Sequence, residues 1–128
     1  RRALDAGWRR AGAPLCGAAL ERLGLAGTSI ETLSFCAAKR PRDAKLASDH
    51  GVALALAGRR AAAAAAFREA LRRDPLLPQA HMNLGFLLAG EGKAPQAKLH
   101  FARAAEGARA RGLVAIAVDA DAAAARLK

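Results

Sequence analysis

The sequence predicts an all-α fold of antiparallel helix pairs stacked side by side, and three observations predict it. Thirty-seven of the 128 residues are alanine and 18 are leucine, with only 4% aromatic, a mixture that favours helix and nearly excludes an all-β fold. Shifting the sequence by the interval that separates Gly51 from Gly85 superposes its most informative positions, which marks an internal repeat. Within each period an apolar pattern of helical spacing stops at a glycine, resumes after it, and closes near a proline. At 13.2 kDa the chain has room for one core and no second substantial domain.

Residues 1–9 read as an N-terminal tail or as the close of a preceding repeat's second helix. Three repeats follow at 10–43, 44–77 and 78–111, each two helices of roughly a dozen residues. Gly17, Gly51 and Gly85 share one column, Leu20, Leu54 and Leu88 a second, and Gly24, Gly58 and Gly92 a third, where the first helix should turn. In the second helix Leu33, Phe67 and Phe101 align, followed by small Cys36, Ala70 and Ala104, and Pro41 and Pro75 close the first two units. Two antiparallel helices approach closely only where one contact position lacks bulk and the next fills the gap, so Gly85 should face Ala97 with Phe101 as filler. The first unit is the most degenerate, with Ser29 in the column of Ala63 and Ala97, and Pro14 inside its first helix. Thr28 with Glu31 reads as a capping box. Residues 112–128 carry Leu113, Ile116, Ala117, Ala120, Ala124 and Leu127 at helical spacing and read as a capping helix over the last apolar face.

The run Asn83-Leu84-Gly85, Leu88, Gly92, Ala97, Phe101 and Ala104 resembles a tetratricopeptide repeat, as does Gly51, Leu54, Gly58, Ala63, Phe67, Ala70 and Asp74-Pro75. The resemblance covers residues 10–111 and implies a right-handed superhelix whose concave surface is lined by the first helices and whose convex back is formed by the second. By that register the inward side chains are Leu15, Ala18 and Arg22, then Lys45, Asp49, Val52 and Leu56, then Gln79, Met82, Asn83 and Phe86. The implied function is a non-catalytic scaffold that binds a protein partner, as a peptide or amphipathic helix, with Met82 as adaptable contact and Phe86 as anchor. The columns that hold a partner's C-terminal carboxylates in chaperone-binding members fall on Pro14, Ala18, Asp49, Gln79 and Asn83, none of which match, so that tail should not be recognised.

No catalytic constellation accompanies the repeat. His50, His81 and His100 are too scattered to pair at one helix turn or to bind a metal; His50 and His81 read as packing residues and His100 as an outer-surface residue. The glycines near 85–92 lie in or after a helix, not in a phosphate-cradling loop, and no serine has a nucleophile-elbow context. No cofactor is implied. Cys16 and Cys36 should be offset by about one turn across the first hairpin, which favours two buried free thiols and a reducing, cytoplasmic compartment over a disulfide. The opening Arg1-Arg2 without an initiator methionine reads as a fragment, a module of a larger protein; no secretory signal is present, and no apolar run reaches the roughly 18 residues of a membrane span. The charge of +10 leaves an alternative, in which Arg68, Arg72, Arg73, Lys98 and Arg103 on the convex back contact nucleic acid or an anionic surface. With no tyrosine and one tryptophan, base-stacking platforms are scarce and nucleic acid is the weaker partner.

Overall fold

A computed structural model describes Cys16 and residues 30–127. Six helices make up the described fold: α1 (Ile30–Lys39), α2 (Ala44–Leu56), α3 (Arg60–Arg73), α4 (Pro78–Gly90), α5 (Ala94–Ala110) and α6 (Val114–Ala125), with no strand among the described residues. They form an all-α superhelical repeat. The expected residues 1–9, nearly all of the first helix of 10–43, and the Thr28 cap lie outside the described residues.

Local chemistry sets the helix ends. Asp43 caps α2, its side chain accepting from the Leu46 N–H at 2.9 Å. Proline occupies the first turn of α4 and of α5, where its missing N–H costs nothing. The turns after α2, α4 and α5 repeat one closing motif. Gly58, Gly92 and Gly112 adopt φ of +80°, +79° and +70°, and the next residue's N–H reaches back to Leu54, Leu88 and Ala108 at 2.9, 2.9 and 2.8 Å. That satisfies carbonyls a straight helix end would leave bare, and the left-handed φ is why glycine stands there.

These turns fold α2 onto α3 and α4 onto α5, while α6 packs on α5. The small-for-large complementarity is direct: a Cβ on Gly51 would come within 2.6 Å of the Phe67 ring, and one on Gly85 within 2.7 Å of the Phe101 ring. Both phenylalanines are buried and share one cluster with Leu54, Ala63, Leu84, Leu88 and Ala97. That cluster runs from α2 through α5, so the two hairpins share one core. Helix α6 buries Ala117, Ala120 and Ala123, and its other side keeps Val114 and Val118 in solvent beside Asp119 and Asp121.

The expectation of free thiols is corrected. Cys16 and Cys36 form a disulfide with their Cα atoms 5.7 Å apart, inside the usual span for such a bond, so the one-turn offset expected between them is absent. Both are buried with Leu33, Ala37 and Leu46. The bond also removes the ground for expecting a reducing compartment. No helix among the described residues is long and apolar enough to cross a membrane.

Candidate functional site

Helices α2 and α4 are in contact, and between them lies a cavity of about 250 Å³. Val52, Ala55 and Leu56 line it from α2, Asn83, Phe86 and Leu87 from α4, and the Phe67 ring forms its floor. Leu56 is 81% exposed and Phe86 52% exposed. Exposure of that order on neighbouring large apolar side chains is uncommon for a surface meant only for water. Phe86 is also fixed from below, its ring meeting Phe101 edge-on with centroids 5.0 Å apart, a favourable aromatic geometry. Asn83, half-buried beside Phe86, brings the one amide of the lining.

The expected groove residues thus separate into three groups. Val52, Asn83 and Phe86 meet around the cavity, joined by Leu56. Lys45 and Asp49 lie on the same face of α2, nearer its N-terminus, and pair with each other at 3.3 Å, the lysine exposed and the aspartate partly so. Met82 is half-buried and packs against the shared core and against the Ala104, Ala105 and Ala120 cluster, away from the cavity lining. Leu15, Ala18 and Arg22 lie outside the described residues. Ala55 and Leu87 were not anticipated, although each follows an expected groove residue, Val52 or Asn83, by three or four positions, the spacing that shares a helix face.

The histidines depart from expectation at one position. His100 is not an outer-surface residue; it faces α4, with its Nδ1 3.0 Å from Nδ1 of buried His81. His81 Nε2 lies 2.8 Å from the Pro75 carbonyl oxygen. A carbonyl only accepts, so His81 donates from Nε2, and its Nδ1 accepts the proton carried by His100 Nδ1. Burial holds both rings below the ordinary histidine pKa; His81, Arg68 and Arg103 push His100 further the same way. His50, half-buried on α2, is lowered by burial alone. No group of three or more His, Cys, Asp or Glu among the described residues is arranged to hold a metal ion.

The basic back is also less available than its composition implies. The Arg73 side chain is only 11% exposed; its guanidinium donates to Glu69 at 2.8 Å and to the Arg40 and Asp43 carbonyls at 3.2 and 3.1 Å. Arg72 pairs with the same Glu69, and these two arginines hold that carboxyl below its ordinary pKa. Arg68 and Arg103 remain exposed.

No protein-family model matches the chain, and no curated protein sequence matches it. Among solved structures it is similar to the crystal structure of MamA, with a TM-score of 0.59 and 18% sequence identity over 86% of this chain and 72% of that one. At this identity the likeness concerns the fold: an all-helical repeat architecture that reaches beyond a single hairpin.

Proposed function

We propose that the chain is a tetratricopeptide-type scaffold with units at 10–43, 44–77 and 78–111, closed by the helix of 112–128. It holds an apolar segment of a partner protein between its first helices and has no chemistry of its own. The observation that carries this reading is the α2–α4 cavity, an apolar slot flanked by exposed Leu56 and Phe86 on a surface the helix-pair geometry keeps continuous. A partner's large side chain entering the slot would exclude water from Val52, Leu56 and Phe86 together, and Asn83 stands where it can bond the partner's backbone. Lys45 and Asp49 extend the proposed surface along α2, and Leu15 and Ala18 carry it into the first unit, while Met82 packs behind it against the core.

The test is a binding titration with peptides enriched by display selection on the chain. Phe86→Ala should weaken them by roughly 2 kcal/mol or more, as truncating an interface anchor does. Because Phe86 also touches Phe101, some stability will be lost with it. Leu56→Ser separates the two effects, since Leu56 is mostly in solvent: it should lower affinity while leaving the melting curve in place. Unchanged affinity in both variants would remove the groove from consideration.

A further inference from the structure

The face of α2 that borders the slot continues to a second concavity. Lys45, Asp49, Val52 and Leu56 follow one another at positions that share a helix face. Val52 and Leu56 line the slot, whereas Lys45 lines an open trough of about 1000 Å³ between the α1–α2 and α3–α4 loops. Five cationic side chains border this trough, Lys39, Arg40, Arg42, Lys45 and Arg73, against two carboxylates, Asp43 and Asp74. Both carboxylates are engaged, Asp43 as the cap of α2 and Asp74 by Arg111 at 2.7 and 2.8 Å. Arg73 is taken by Glu69 and the loop carbonyls, Lys39 lies over the Phe35 ring, and Lys45 is paired with Asp49 at 3.3 Å. That leaves Arg40 and Arg42, exposed on either side of Pro41, with no anionic partner among the described residues.

We infer that the segment held by this groove is acidic as well as apolar: its large apolar side chain enters the α2–α4 slot while carboxylates at least three to five residues away, past Lys45 at the near edge of the trough, reach Arg40 and Arg42. The inference rests on the groove reading above and adds the partner's charge and spacing. The spacing comes from helix geometry. Lys45 is seven residues from Val52 and 11 from Leu56, which at a rise of about 1.5 Å places the two features about 10–16 Å apart. An extended chain covers that distance in about three to five residues. A net charge of +10 adds a long-range pull on such a segment and speeds its encounter. Nucleic acid fits the same cations less well, because the adjoining slot is apolar and has no use for a phosphate backbone.

The experiment is selection of displayed random peptides of about 16 residues against the full chain, followed by titration of the enriched peptides on variants. The expected result is enrichment of Asp or Glu three or more residues from Leu, Ile, Met or Phe, with affinity falling about tenfold in Arg40→Glu/Arg42→Glu and falling separately in Leu56→Ser. Both arginines are exposed loop residues, so the far-ultraviolet spectrum should not change. Apolar peptides without an acidic excess, sensitive to Leu56→Ser but indifferent to the charge reversal, would overturn the inference and leave the groove reading standing. Absence of enrichment, or peptides indifferent to Leu56→Ser, would overturn the groove reading and the inference with it. Displacement of the acidic peptides by duplex DNA at a lower concentration than by unlabelled peptide, at 0.15 M salt, would assign the trough to nucleic acid instead.

Discussion

Gly107→Ala should be among the most damaging single-methyl additions in the molecule. In the last turn of α5 the exchange would ordinarily gain up to about 1 kcal/mol through helix propensity. Here the added Cβ would run into the Leu76 carbonyl oxygen and lie 3.1 Å from the carbonyl carbon and 3.3 Å from the Leu76 Cβ. Relief needs a shift of more than about 1 Å between α5 and the α3–α4 loop, and the loop is tied down. Asp74 is gripped by Arg111, the Leu77 N–H bonds the Asp74 carbonyl at 3.1 Å, and Pro75 accepts from His81. Overpacking of this kind costs about 1–3 kcal/mol or more, and weakening the loop's hydrogen bonds adds about 0.5–1.5 kcal/mol for each bond lost. Set against the propensity gain, the net loss is about 2 kcal/mol, which for a chain of this size lowers the melting temperature by about 8 °C. Urea and thermal unfolding followed by circular dichroism would measure it, with Gly90→Ala in parallel. There the new Cβ meets only the end of the Arg60 side chain, which can swing away, so that variant should be neutral or slightly more stable. A Gly107→Ala protein as stable as the parent would refute the close passage of α5 over the Leu76 carbonyl.

Stability should also depend on pH through the histidines. His50, His81 and His100 all have depressed pKa values in the fold, so the unfolded chain binds protons first. Their contribution is complete above about pH 6.5 and is lost as pH falls toward the folded values, by at most about 1.4 kcal/mol per pH unit for each ring. Melting temperatures between pH 8 and 5 should show this fall, and His100→Gln should flatten it; an unchanged profile would mean that the pair is not neutral in the fold. Arg68 of α3 and Arg103 of α5 disfavour the protonated pair, while Asp74 and Glu106 oppose them. Reduction of Cys16–Cys36, which are separated by 20 residues, should cost about 3 kcal/mol. Hydrogen exchange would localise that loss to α1, and protection of α1 unaltered by reduction would count against the bond.

The sequence made the hairpins legible because their determinants are periodic and local. Gly51 with Phe67 and Gly85 with Phe101 are complementary in size and recur one repeat apart, and Gly58 and Gly92 mark turns by a backbone conformation glycine alone adopts easily. The slot residues Val52, Asn83 and Phe86 were legible for the same reason, since a helix face follows from spacing once the register is known. The histidine pair was not, because its members stand 19 residues apart on different helices. A signal was nevertheless present: one repeat upstream, Ala47 and Ala66 occupy both columns. Two alanines in one hairpin become two histidines in the next, which is the pattern expected of residues in contact. The disulfide escaped because it depends on the packing of the most degenerate unit, where the repeat gives the weakest register.

Arg73 and Gly107 show how the joint between successive hairpins tolerates sequence change. They stand one repeat apart and so occupy one column. Each lies in the second helix of its hairpin and addresses the loop that precedes the hairpin's first helix. Arg73 spans its gap with a guanidinium, donating to the Arg40 and Asp43 carbonyls. Gly107 has no side chain, and α5 instead comes against the corresponding loop at Leu76, which shares a column with Arg42. The loop carbonyls are therefore met by a long donor in one hairpin and by close backbone approach in the other. A column that holds the largest cation in one hairpin and no side chain in the next would look unconstrained by residue type, yet at Arg73 and Gly107 each choice is fixed by the distance it must span. Exchanging them should lower the melting temperature in both directions: Gly107→Arg has no room, and Arg73→Gly strips the cross-hairpin donor from the Arg40 and Asp43 carbonyls, leaving each with only a local backbone N–H and Glu69 with Arg72 alone.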